Sequence, residues 1–283
     1  MFKKRKLLSV VASVVLAMSL ALVGCTGGGT SGGGSGSGSG SGDANEIQSV
    51  TAGFLTVGSD CDYPPFVEMQ GDKPIGYEVE MLQAIADEIG LELVYLPPQN
   101  FDTILASVAS GTKMDIGVSS FTINDERKQL VSFSTPYFDS NQAAVALNSS
   151  SYTSAMDFDG LTVGAQSGTT GADWVRENLT SSGTILKEFN QASELMASLA
   201  AGDIQAAFFD EPAAAQYVVT SYTNAHIVEV IPTGEQYGIA VSQDNPALLA
   251  AINDAMKTIK KNGTFDKIFL KYFPDLTPPS LGV

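Results

Sequence analysis

Histidine, cysteine and positive charge are all scarce in this chain. Its 283 residues include one His and two Cys, and 15 Lys and Arg stand against 31 Asp and Glu, a net charge of −16. One His and two Cys are too few for a zinc site of the usual His/Cys kind. Carboxylates alone remain as candidate metal ligands, and no metal site is expected. The shortage of cations excludes nucleic acid as a partner, because a phosphate backbone is held chiefly by Lys and Arg. What is present suits a folded protein: 44% of residues are hydrophobic and 16% charged, and the length allows one two-lobed domain or two medium ones.

The N-terminus is unlike the rest. Lys3, Lys4, Arg5 and Lys6 precede the uncharged run Leu7 to Val23, which ends at Gly24-Cys25. A basic start, a short apolar stretch and a small residue at the junction describe an export signal. An uncleaved anchor helix is the alternative, although the run is at the lower limit for a span. Leu22-Val23-Gly24-Cys25 resembles the lipobox of bacterial lipoproteins, which implies lipidation of Cys25 and an N-terminal membrane anchor. Removing residues 1–24 leaves 11 of the 15 basic residues against all 31 acidic ones, a net charge of −20 in place of −16. With Cys25 lipidated, Cys61 has no partner for a disulfide within the chain. Cys61 lies between Asp60 and Asp62, which disfavour a thiolate, so it reads as a small buried residue. Thr26 to Gly42 contains only Gly, Ser and Thr, the composition of a flexible tether.

The folded part echoes itself. Leu55-Thr56-Val57-Gly58 recurs as Leu161-Thr162-Val163-Gly164, and Thr103 to Gly111 shares Ala-Ser-x-Ala-x-Gly with Glu194 to Gly202. Each helical pattern ends in a capping Gly and leads into an apolar run, Met114–Val118 and Ile204–Phe209. Each half therefore reads strand, helix, helix, strand, an α/β architecture with a largely parallel sheet. Tyr77 to Gly90 spaces its apolar residues on one helical face. Pro246 to Asn262 reads as a helix capped by Asn245. The extended runs Gln142–Leu147 and Gln236–Val241 bracket the second half as crossover strands. The resulting division is an export signal at 1–24, a lipidated Cys and linker at 25–45, lobe one at 46–141 and 237–283, lobe two at 148–232, and a hinge at 142–147 and 233–241.

Four segments converge where a two-lobed α/β protein holds a ligand, at strand ends and helix N-termini. Ser59 to Phe66 offers Asp60, Tyr63 and a stiff double proline. Ser119-Ser120-Phe121-Thr122, with Arg127 five residues on, has the hydroxyls and guanidinium fork that a carboxylate requires. Gln166 to Trp174 is a Gly/Thr loop opening a helix, suited to an anion. Phe209-Asp210-Glu211 ends a buried strand with a carboxylate that could hold an ammonium. Each has a plainer reading: Arg127 as a solvated partner of Asp125 or Glu126, the Gly/Thr loop as a helix cap, Asp210 as a cap, Tyr63 as core.

Taken in order, Gly58–Phe66, Gly76–Met81, Asp115–Thr122 running to Arg127, Val163–Thr170 and Phe209–Glu211 resemble the family 3 extracellular solute-binding proteins of polar-amino-acid ABC transporters. The resemblance implies a periplasmic-binding-protein type II fold: two α/β lobes joined by two crossover hinge strands. It implies an L-amino acid ligand, an ABC permease as partner, no cofactor, and a monomer working outside the cytoplasm. By position, Arg127 would grip the ligand α-carboxylate with Thr122, Thr169 and Thr170. Asp210 and the Ser120 carbonyl would hold the α-ammonium. Tyr63 and Phe101 would sandwich the side chain, and Asp60, Glu78, Ser119 and Gln166 would surround its far end. Acids at Asp60 and Glu78 lean toward a basic amino acid, with glutamine or cystine as alternatives. Tyr77-Glu78 departs from the family's commoner Phe-Asp.

Other functions fit less well. Ser110-Gly111-Thr112-Lys113 has the Ser-x-x-Lys spacing of penicillin-binding proteins but lacks their partner motifs. His226 has no orienting acid nearby in sequence for a triad. A dehydratase on the same fold, and a sensing module that reports ligand to a membrane receptor, remain as rivals.

Overall fold

The computed structural model describes residues 47–283. The expected export signal, Cys25 and the Gly/Ser tract lie outside the described residues. The two Leu-Thr-Val-Gly copies enter the central parallel strands of two sheets. Strand β1 (Phe54–Gly58) lies between β5 (Glu92–Tyr95) and β6 (Ile116–Gly117) and runs parallel to both. Strand β9 (Thr162–Gln166) lies likewise between β10 (Ile185–Phe189) and β11 (Ala206–Asp210). Beyond these, β13 (Ala240–Ser242) and β7 (Val131–Phe133) complete the first sheet, and β8 (Phe138–Leu147) and β12 (Ala225–Tyr237) the second.

The sheets are less parallel than the sequence suggests. In each, the fourth strand is antiparallel to the third and the fifth antiparallel to the fourth. The connectivity explains this: β8 enters the second sheet straight from the first, and β13 is the chain's return to the first. The expected extended run Gln236–Val241 is divided. β12 ends at Tyr237, and the chain passes through Gly238 into β13. A Cβ at Gly238 would stand 2.8 Å from Ile123 Cδ1, so this narrow passage favours glycine.

Helices cover the sheets where apolar periodicity places them. α1 (Tyr77–Ile89) buries Met81, Leu82, Ile85 and Ala86 and ends at Gly90 with φ 75°. α2 (Phe101–Ala109) buries Ile104, Leu105 and Val108. On the second lobe, α3 (Thr170–Asn178), α4 (Ala192–Ala201) and α5 (Glu211–Thr220) pack on β11, β9 and β8 respectively. Gly202 closes α4 with φ 81°, the left-handed cap that its motif predicts. α6 (Pro246–Lys261) begins at Asn245, whose side chain accepts the Leu248 N–H at 3.2 Å. Beyond the sequence reading lie the strands β5, β7 and β10, the helix α7 (Thr264–Tyr272), and a small antiparallel sheet of β2 (Asp62–Tyr63), β3 (Val67–Gln70) and β4 (Lys73–Ile75).

An aromatic knot fixes the start of the crossing strand. Phe138, the first residue of β8, packs its ring 4.9 Å from Phe66 and 4.7 Å from Phe273, both in lobe one. Four residues further along, Gln142 pairs with Asp210 of the second sheet. The chain thus changes lobes within about two turns of pleat, and bending there re-aims one lobe against the other.

Candidate functional site

The carboxyl ends of the parallel strands from both sheets face one shared cavity. Asp60 and Tyr63 follow β1, Ser119, Ser120 and Thr122 follow β6, and Asp210 ends β11. Gln166 ends β9, and Thr169 and Thr170 open α3. Phe101, at the start of α2, and Arg127, in a single 3-10 turn, complete the wall. Eleven of the twelve expected ligand residues line this cavity; Glu78 does not. Crevices beyond the carboxyl ends of parallel strands are where open α/β sheets hold ligands.

Arg127 is a buried cation. It is 8% exposed, so it is not the solvated partner of its acidic neighbours; Lys128 takes Asp125 instead. Its Nη1 donates to Thr122 O at 2.9 Å and its Nη2 to Gly168 O of the other lobe at 3.0 Å. The guanidinium carbon lies 5.5 Å from the Phe101 ring centre and 5.6 Å from that of Phe121, within cation–π range. Burial lowers its pKa, while the charges of Asp210 and Glu235 oppose that shift. Held only by neutral carbonyls and rings, it is prepared for an anion.

Asp210 lies on the opposite lobe. It occupies the N-cap position of α5, yet its side chain makes no cap bond. The carboxylate instead accepts from the Tyr237 hydroxyl at 2.5 Å and from Gln142 Nε2, and its backbone N–H donates to the Tyr63 hydroxyl at 3.1 Å. Burial, then the charge of Glu235, raises its pKa to about 7. A carboxylate so destabilised in its charged form gains from a bound cation.

Asp60 is a second carboxylate in the cavity wall. It accepts from Ser119 Oγ at 2.6 Å, from its neighbour's Asp62 N–H at 3.3 Å, and from Gln166 Nε2 of the other lobe at 3.0 Å. All three donors are neutral, and burial raises its pKa. The lobes also meet outside the cavity, where Asp62 accepts the Ser193 N–H at 2.9 Å near the start of α4. The N-cap residue of that helix, Gln191, provides no side-chain cap of its own.

Residues 55–275 match the model of the family described as bacterial extracellular solute-binding proteins, family 3. This chain belongs to that family. It is 33% identical over 225 residues to the L-cystine-binding protein TcyJ of Escherichia coli K12, covering 78% of this chain and 83% of the relative. It is 28% identical over 226 residues to ABC transporter arginine-binding protein 1 of the same organism, covering 78% and 90%. Among solved structures, an ancestral arginine-binding protein bound to arginine superposes with a TM-score of 0.74 at 36% identity, covering 78% of this chain and 98% of that one. The fold is the type II periplasmic-binding-protein fold, and these relatives are binding proteins.

Within this solute-binding protein three expected roles change. Glu78 turns away from the cavity: its Oε1 accepts from Ser120 N at 2.8 Å, Ser120 Oγ at 3.1 Å and the Tyr137 hydroxyl. Entirely buried, its pKa rises to about 7, and it braces Ser120, whose φ is 52°. Thr169 caps its own helix, accepting from Ala172 N at 3.2 Å and donating to Gln166 O at 2.7 Å, so its hydroxyl proton is already used. The Thr122 and Thr170 hydroxyls donate to Glu235 rather than standing free for a ligand carboxylate. Cys61 is 4% exposed, and burial raises its thiol to about 11, an inert setting. The rival motifs sit elsewhere: Ser110 bonds Thr112 in an exposed turn, and His226 Nδ1 has no partner.

Sequence reasoning missed Gln142, Glu235 and Tyr237. They join Asp210 and both threonines in one network across the crossover strands. The available signal was weak: polar residues at or beside the start of each expected crossover strand.

Proposed function

We propose that this solute-binding protein closes its lobes on an L-amino acid with a cationic side chain and delivers it to an ABC permease, without transforming it. One observation carries the reading: Arg127 of lobe one and Asp210 of lobe two line the same cavity. A zwitterion satisfies both, its carboxylate on the guanidinium and its ammonium on Asp210. Asp60 then remains as an acid at the far end with only neutral donors, which favours a second cation on the side chain. Because the ligand touches both lobes, it favours the closed arrangement, with bending at the crossover strands. The N-terminal sequence supports export and lipid tethering through Cys25, leaving a monomer outside the cytoplasm.

Thermal-shift screening against the twenty amino acids plus ornithine, citrulline and cystine tests this. At a hundred times Kd the cognate ligand should add about 2.7 kcal/mol and raise Tm by roughly 5–10 °C. Arginine, lysine or ornithine should rank first. A first rank for glutamine or cystine would remove the cationic preference, and no shift with any of them would overturn the reading.

A further inference from the structure

Behind the cavity wall, a single carboxylate joins the two lobes. Glu235 stands on β12, where the chain returns to lobe one, and does not itself line the cavity. Its Oε2 accepts from Thr122 Oγ1 at 2.6 Å and from Thr170 Oγ1 at 2.9 Å, one threonine on each lobe. Gln142 Nε2 lies 3.1 and 3.2 Å from its two oxygens and also donates to Asp210 Oδ1.

The direction of these bonds has a chemical consequence. An ionised carboxylate only accepts, and a hydroxyl has one proton and two lone pairs. Both threonines therefore commit their protons to Glu235. Toward the cavity each can only accept, and Thr170 Oγ1 already accepts once, from Gln142 at 3.1 Å. With ionised Asp210 beside them, the side chains of this part of the wall present acceptors alone. If Glu235 did not take those protons, either hydroxyl could rotate to donate into the cavity, and the same wall would then accept a carboxylate.

We propose that Glu235 is a positioning residue for the ligand ammonium: by drawing the Thr122 and Thr170 protons away from the cavity, it makes that wall acceptor-only and so fixes which end of a zwitterion lies there. This rests on the amino-acid reading above. The carboxylate is left with Arg127 and the backbone N–H groups opening α3. The charged and titratable groups around Asp210 agree. Tyr63 of β2, Tyr237 and Glu235 of β12, and Arg127 face it, and the Glu235 charge is the one that adds to burial in raising its pKa. An ammonium placed there relieves both acids and expels any proton that Asp210 holds.

The test is a double-mutant cycle read by calorimetry at pH 7. It uses wild type, Glu235→Gln, the pair Thr122→Val/Thr170→Val, and the triple variant, each checked for an unchanged melting profile. L-arginine, L-glutamine and L-cystine serve as probes, since each carries both an α-ammonium and an α-carboxylate. For any probe that the wild type binds, Glu235→Gln should weaken binding about tenfold or more. The losses should not multiply in the triple variant, because Glu235 acts chiefly through those hydroxyls. Heats compared in buffers of different ionisation enthalpy should show fewer protons released by Glu235→Gln than by wild type. Binding by Glu235→Gln within twofold of wild type, or losses that multiply in the triple variant, would overturn the proposal alone. A wild type that binds none of the three, nor any other amino acid of the thermal-shift screen, would overturn the amino-acid reading with it.

Discussion

Replacing Arg127 with Ala removes three things at once. The guanidinium loses its bonds to Thr122 O and Gly168 O, its place over Phe101 and Phe121, and its charge. The cross-lobe bond to Gly168 contributes about 1 kcal/mol to closure, and charge-assisted bonds to a ligand carboxylate contribute about 1.5–3 kcal/mol each. Truncating one partner of a buried charge pair commonly costs about 2–5 kcal/mol. A loss on the order of 4 kcal/mol, about a thousandfold in Kd, is therefore expected. Arg127→Lys keeps the charge but not the fork and should fall between, about tenfold to a hundredfold weaker. Isothermal titration of both variants reads these losses, with thermal melts confirming that each is folded. A folded Arg127→Ala protein that binds its amino acid within threefold of wild type would refute the clamp.

Three other outcomes follow from the same geometry. Asp60→Asn should weaken arginine and lysine about tenfold to a hundredfold while changing glutamine little, and equal losses in parallel titrations would exclude a cation at that end. Asp62→Ala removes the acceptor for the Ser193 N–H, so every ligand should bind more weakly by one similar factor, about fivefold; a change in ligand ranking would contradict a role confined to closure. Asp210 and Glu78 have pKa values raised to about 7 from ordinary values of 3.8 and 4.5. The folded state then binds more protons than the unfolded one, so their contribution is full below pH 4 and is lost as pH rises through 7. Ligand-free wild type should lose on the order of 3 kcal/mol more than Asp210→Asn in denaturant melts between pH 4 and 8, and parallel curves for the two proteins would contradict this.

Much of the fold was legible because its signals are local. The repeated Leu-Thr-Val-Gly segments lie in the central strands, and Gly90 and Gly202 adopt the left-handed caps their positions suggest. The sheet directions were misjudged because a strand's partner is chosen by chain connectivity, and β8 and β13 arrive from the other lobe. The strands β2 to β4 span two to four residues each, too short for any alternation to show. At the site, residues following parallel strands converge by topology, so Asp60, Arg127 and Asp210 could be placed from sequence. Orientation could not. Glu78 sits where the pattern puts a ligand acid, yet it turns onto Ser120 and Tyr137. The role of Glu235 depends on Thr122, 113 positions away, and Thr170, 65 away, and no local motif encodes such a meeting.

The most direct measurement titrates wild type with L-arginine and with two smaller relatives: agmatine, which lacks the carboxylate, and 5-guanidinopentanoate, which lacks the α-ammonium. Neither analogue adds bulk, so each deletes one partner of one buried group. If Arg127 and Asp210 together hold a zwitterion, both analogues should bind at least about 100-fold more weakly than L-arginine. Either analogue binding as tightly as L-arginine would contradict the account.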